Sequence, residues 1–152
     1  VLMHRWTRWR MHVVALGAVV FLGACAESAP PKADIRVEGA WVRAVAGPDA
    51  NSAAYMTLHN RGTATERLVT GRSEAARMTE LHRTTIDSTG LARMGKVETL
   101  DLPAGGTTRL EPGGYHLMLM GVDTLVEGDT IELTLVLEAS DPVQVAAEVR
   151  AF

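Results

Sequence analysis

The chain has 152 residues, 47% of them apolar and 22% charged, which is enough for one domain with its own core and unlike a disordered tail or a bundle of membrane helices. Aromatic residues make up 5%, the formal net charge is −3 and no long basic run occurs, so nucleic acid is not an expected partner. The single cysteine excludes an internal disulfide framework, a cysteine-rich zinc site and an iron–sulfur cluster.

Residues 1–24 read as a lipoprotein signal peptide. Arg5, Arg8 and Arg10 open it without an acidic residue, and an apolar run follows from Val13 to Ala24. That run is shorter than the roughly 20 residues a membrane-spanning helix needs, and its small-residue end fits a secretory signal. It ends in Leu22-Gly23-Ala24-Cys25, which resembles a bacterial lipobox, with Cys25 as the lipidated first residue of the mature chain. The plainer alternative is a simple signal peptide with an incidental cysteine. Val1, Met3 and Met11 are all candidate starts. Cleavage before Cys25 removes three arginines and no acid, leaving 12 basic against 18 acidic residues and a net charge of −6. Such a domain is expected to be held at a membrane through its lipid alone. Its place is extracytoplasmic or periplasmic, and Ala26 favours the outer membrane if the cell is Gram-negative. Residues 25–33, with Ser28, Pro30 and Pro31, read as a flexible linker, and 34–152 as the folded domain.

From Asp34 onward alternation and turn residues prevail over helical period. Residues 35–45 read as a strand with a bulge at Gly39, and 52–60 as a strand ended by Asn60-Arg61-Gly62. A third strand is expected over 66–73, one helical turn at Glu74-Ala75-Ala76, and a fourth strand over 78–86. The turn Asp87-Ser88-Thr89-Gly90 leads into a single strand over 91–102. Strands over 107–112, 115–122, 130–139 and 142–150 complete the chain. In the 130–139 strand Ile131, Leu133, Leu135 and Leu137 alternate with Glu132, Thr134, Val136 and Glu138. Strands at this spacing imply an all-β sandwich or Greek-key barrel.

The distinctive chemistry lies in three histidines (His59, His82, His116) and five methionines (Met56, Met78, Met94, Met118, Met120) after the leader. In a strand, residues two apart share a face. His116, Met118 and Met120 therefore line one side, and Leu117 and Leu119 the core side. With a hairpin centred near residue 88, His82 and Met94 fall opposite one another, close enough for both to contact one ion. Two imidazoles and two thioethers form a soft, uncharged donor set that suits Cu(I) better than Zn(II), Mg(II) or Ca(II). For His116 and Met118 taken alone, a metal site and a packed strand are equally good readings. Met56 and Met78 are expected to be core filler, and His59 an exposed loop residue.

The spacing of His82, Met94, His116 and Met118 resembles the ligand pattern of the periplasmic copper chaperone (PCuAC-type) family. The flanks are similar too: Ala40-Trp41-Val42-Arg43, Ala54-Tyr55-Met56-Thr57-Leu58 with Asn60 and Gly62, Leu81-His82, and Gly113 through Gly121. The likeness runs from about residue 35 to 150. It implies a cupredoxin-like β-sandwich holding one Cu(I) per chain at those four residues. It also implies delivery of copper to the dinuclear copper centre of a haem–copper (cytochrome c) oxidase, with oxidase subunit II or Sco-type thiol proteins as acceptors. Arg83 stands where many members have a methionine, which puts an auxiliary thioether in doubt.

Competing functions fare less well. An electron-transfer cupredoxin needs a cysteine thiolate, and none remains beyond Cys25. No G-x-S-x-G or other nucleophile constellation marks a hydrolase, so an enzyme is not expected. The alternative from another class is a surface-interaction lipoprotein with an immunoglobulin-like sandwich and no metal.

Overall fold

The computed structural model describes residues 31–152. The leader 1–24, Cys25 and most of the expected linker lie outside the described residues. Ten strands follow in chain order: β1 Ile35–Arg43, β2 Ala50–Asn60, β3 Glu66–Arg72, β4 Ala76–Ile86, β5 Ala92–Lys96, β6 Leu100–Leu102, β7 Thr107–Leu110, β8 Tyr115–Val122, β9 Thr130–Leu137 and β10 Val143–Arg150. They pair in the order β5-β4-β8-β2-β1-β10-β9-β3-β6, with β7 beside β2. All pairings are antiparallel except β1 with β10. The sheet curls on itself, so β3 and β4, far apart in this order, meet where Thr70 Oγ1 donates to the Thr79 carbonyl at 2.9 Å. The chain is thus an all-β sandwich, in agreement with the strand and turn spacing.

The core is aliphatic. Val42, Leu58, Leu68, Leu81, Leu117, Leu119, Leu133, Leu135 and Val149 are fully buried, each side chain stabilising the fold by about 1.5–3 kcal/mol relative to exposure. β9 places Leu133, Leu135 and Leu137 inward, and β10 answers with Val145, Ala147 and Val149. Register between β1 and β2 shifts between Glu38 and Trp41, so the bulge expected at Gly39 is present. Asn60 closes β2 from inside. Its side-chain amide donates to the carbonyls of Ala64 and Leu102 at 2.8 and 2.9 Å, and its oxygen accepts from the Gly62 amide at 3.0 Å and the Asp34 amide at 3.3 Å.

Two local expectations change. Residues 91–102 are not one strand. β5 pairs with β4 and β6 with β3, at opposite ends of the strand order. β5 is exposed along its whole length whereas Leu100 and Leu102 are buried, so the break lets the chain cross from an open edge back into the core. Residues 74–76 form a tight turn instead of a helical one, because the Ser73 carbonyl accepts from the Ala76 amide at 3.3 Å and its hydroxyl from the Ala75 amide at 3.3 Å.

Candidate metal centre

β4 and β8 run in uninterrupted register, so His82 stands opposite His116, Glu80 opposite Met118 and Met78 opposite Met120. The intervening residues, Leu81 and Leu117, point into the core and are buried. Alternation therefore sends the histidines and methionines to the outer face. At the far end of β8, Gly121 adopts φ 65°, a left-handed conformation that glycine takes without steric cost. The register with β2 slips there, between Ala50 and Asn51. This bulge turns Val122 into the core while leaving Met118 and Met120 on the outer face.

The two imidazole centroids are 6.0 Å apart. His116 is 2% exposed. Tyr55 lies beside it with ring centroids at 6.2 Å, and Trp41 packs against Tyr55 in a tilted arrangement at 4.6 Å and stacks on Phe152 at 6.4 Å. This aromatic row covers one flank of the histidine pair. Each ring is oriented by an oxygen. His116 Nδ1 lies 3.2 Å from the Gly114 carbonyl, which only accepts, so Nδ1 carries the proton and Nε2 keeps a lone pair. His82 Nε2 donates to Glu80 Oε2 at 3.0 Å, so the lone pair of that ring is on Nδ1. Both of these nitrogens, His116 Nε2 and His82 Nδ1, are buried without a hydrogen-bond partner. A buried acceptor left unpaired costs about 1–3 kcal/mol, and a metal ion is a partner that removes that cost. A ring held by an oxygen on one nitrogen and free on the other is the usual preparation of a histidine ligand.

The charges fit the same picture. Burial holds the His116 imidazole below the ordinary histidine value, against the opposing pull of the Gly114 carbonyl and with a smaller contribution from nearby His82. The ring is therefore neutral, as a ligand must be, at neutral pH. Hydrogen bonds from His82 and Lys96 hold the Glu80 carboxyl below its usual range. Lys96 donates to Glu80 Oε1 at 3.0 Å, so Glu80 links the ring to a surface cation. Among the described residues no three His, Cys, Asp or Glu side chains gather where they could hold an ion. Besides the Glu80 carboxylate, already bonded to His82 and Lys96, the donors on this face are imidazole and thioether.

The structure brings His82, His116 and Met118 together and places Met94 differently from expectation. His82 pairs with Lys96, and Met94 pairs with Thr84. The turn is the reason. Asp87 pairs with Leu91, the Asp87 amide donating to the Leu91 carbonyl at 3.0 Å, and Gly90 has φ 83°. The loop thus closes over three residues ending in a left-handed glycine, and the hairpin centre falls at residue 89 instead of 88. The shift moves Met94 two residues along β5 but keeps it on the His82 face, diagonal to the ring and 54% exposed.

Other residues fall as follows. Met56 is core filler as expected, at 3% exposure, but Met78 is 51% exposed and belongs to the outer face. His59 is not the exposed loop residue expected: it lies in β2, partly buried and paired on both sides, and is held by Glu38 at 3.0 Å and Thr107 at 3.0 Å, apart from the histidine pair. Arg83 pairs with Tyr115 and its guanidinium lies over that ring at 5.0 Å, on the face opposite His82. Glu80, Lys96 and Tyr55 were not among the residues expected at the site. Glu80 alone carried a signal, sitting two residues before His82 on a strand.

Residues 35–149 match the family model described as "Putative lipoprotein LpqE-like". The protein described as "Putative lipoprotein Lxx21020" of Leifsonia xyli subsp. xyli (strain CTCB07) is 34% identical over 139 residues, covering 90% of this chain and 82% of that protein. Among solved structures, Cu(I)-bound DR1885 from Deinococcus radiodurans is 35% identical with a TM-score of 0.57, covering 84% of this chain and 83% of that one. The copper-bound PCuAC domain from PmoF2 has a TM-score of 0.64 at 24% identity, covering 78% of this chain and 93% of that domain, a likeness of fold. The cupredoxin-like architecture and the resemblance to PCuAC domains expected from sequence both stand.

Proposed function

The chain belongs to the LpqE-like family, and we propose that it is an extracytoplasmic metallochaperone, lipid-anchored through Cys25, that binds one Cu(I) and passes it on. The observation that carries this reading is the pair of buried, unpartnered ring nitrogens on His82 and His116. Each belongs to a ring already oriented by an oxygen, and the thioether-bearing Met118 stands one step along the same face. The Cu(I) form of DR1885, similar in sequence and fold, supports copper as the cargo.

His82, His116, Met118 and Met94 would hold the ion, Met94 closing over it from the edge strand. All four donors are neutral. An acceptor with thiolate donors offers charge that this set lacks, so the gradient runs outward. Transfer needs a ligand that leaves early, and exposed Met94 on the open β5 edge is placed for that, whereas buried His116 is placed to leave last. The dinuclear copper centre of a haem–copper oxidase, reached directly or through Sco-type thiol proteins, is the proposed destination, and the protein performs no turnover of its own. A linker over 25–33 gives the domain reach from the membrane.

Native mass measurement of the reduced chain with Cu(I) tests the reading. One tightly bound copper, moving to a reduced dithiol acceptor on mixing, is the expected result. No bound copper would instead leave a surface-interaction lipoprotein, and copper that never leaves would indicate storage.

A further inference from the structure

Of the five methionines among the described residues, only Met56 is in the core. The remaining core is filled with leucine, valine, isoleucine, alanine and one tyrosine. Met78, Met94, Met118 and Met120 all lie on the single outer face of β5, β4 and β8. Methionine used as filler would be expected inside. Here it has been kept out of the core and collected around the histidine pair.

Met94 and Met118 belong to the centre described above. Met78 and Met120 do not, yet they form the rung two residues further along, directly opposite one another. Directly opposed residues have Cβ atoms about 4.5–5.5 Å apart, so two flexible thioethers at such a rung can converge on one ion. Met118 precedes Met120 by two residues on the same face, and Glu80 separates Met78 from His82. Three sulfurs therefore flank a carboxylate that is itself bonded to His82. Met78 is half exposed. Neighbouring Arg77 is drawn away by its ion pair with Asp49.

We infer that Met78 and Met120, with Met118 shared, form a second, all-thioether Cu(I) site through which the ion enters or leaves the His82/His116 centre. The inference rests on the Cu(I) reading of that centre and adds a route to it. Thioethers are soft enough for Cu(I) and carry no proton to lose. Three of them hold the ion less firmly than a set that includes imidazole. Passage inward is ligand exchange: a Cu–S bond to Met78 or Met120 breaks as a Cu–N bond to His82 or His116 forms, with Met118 attached throughout. The ion remains Cu(I) and no proton or electron is transferred. Glu80, lying between the two positions, supplies the one negative charge along the path.

The test uses the chain labelled with 13C at the methionine ε-methyl groups, titrated without oxygen with Cu(I) and, separately, with Ag(I) as a redox-inert probe. The first equivalent should move the Met118 and Met94 methyls and the His82 and His116 ring nitrogens. The second should move Met78 and Met120. The variant Met78→Leu/Met120→Leu should lose the second response and keep the first. Met78 and Met120 methyls that stay in place through several equivalents would overturn the proposal, and so would a second response that persists undiminished in the Leu variant. The wild-type signals decide the matter even if the variant folds poorly. The two readings fail separately: unmoved ring nitrogens count against the histidine centre, and unmoved Met78 and Met120 methyls against the second site.

Discussion

Replacing Glu80 by glutamine should weaken Cu(I) binding without touching a proposed ligand. Glu80 Oε2 accepts from His82 Nε2 at 3.0 Å, and Oε1 accepts from Lys96 Nζ at 3.0 Å. Glutamine has one acceptor oxygen and one donor amide. If its oxygen faces His82, its amide meets the Lys96 ammonium, donor against donor. If it faces Lys96, the amide meets the His82 ring, and the ring then keeps its proton on Nδ1, the atom proposed to bind copper. The first orientation loses the Lys96 bond and the second reverses the His82 bond, so in both the preference for the correct tautomer falls. Loss of such an orienting partner typically reduces metal affinity about ten- to a hundredfold. Competition titration against a Cu(I) chelator measures the affinity, and 15N spectra of the His82 ring report the tautomer. Glu80→Asp should recover part of the loss if the shorter carboxylate reaches the ring. An unchanged affinity together with an unchanged His82 tautomer in Glu80→Gln would refute the reasoning.

Asn60→Ala removes four hydrogen bonds from a side chain that is 2% exposed. At about 0.5–1.5 kcal/mol each, a loss of roughly 2–6 kcal/mol should appear in urea unfolding, and a loss below about 1 kcal/mol would contradict the assignment. Asp87 organises the β4–β5 turn, and its carboxyl is lowered from 3.8 to about 2 by the Thr89 hydroxyl and then by the Leu91 and Thr89 amides. A depressed carboxyl stabilises the fold fully above its unfolded value and loses that contribution as pH falls through the folded one. The Thr89 and Leu91 amide signals should therefore shift with a midpoint near 2, and a midpoint at the ordinary value would contradict the turn geometry. Cys25→Ser should release the chain from membranes or block its processing, and normal cleavage with continued membrane fractionation would disprove lipidation at that residue.

The parts of the fold legible in the sequence are those set by strict alternation. Leu133, Leu135 and Leu137 had to face one side of a strand, and so did His116 and Met118, because a strand leaves no other choice. What lay beyond reach depended on closure. The partner of His82 changed from Met94 to Lys96 because closure between Asp87 and Leu91, with Gly90 left-handed, moves the hairpin centre one residue along the chain, and the tetrapeptide Asp87-Ser88-Thr89-Gly90 is compatible with either closure. The break between β5 and β6 was hidden for a similar reason: alternation in 91–102 says nothing about which neighbour each half will pair with. Met78 is a different matter. It shares parity with Glu80 and His82, so its outward position was written in Met78-Thr79-Glu80-Leu81-His82, but an apolar residue type pointed to the core. The tautomers of the two histidines depend on a carbonyl and a carboxylate brought within reach only by folding.

The central claim is that His82, Met94, His116 and Met118 together hold one Cu(I). X-ray absorption on the Cu(I) form of the chain, compared with His116→Ala/Met118→Ala, tests it most directly. Mixed nitrogen and sulfur scattering in the wild type, with loss of tight stoichiometric binding in the variant, is the predicted result. An oxygen-rich shell, or equal binding by the variant, would contradict the account.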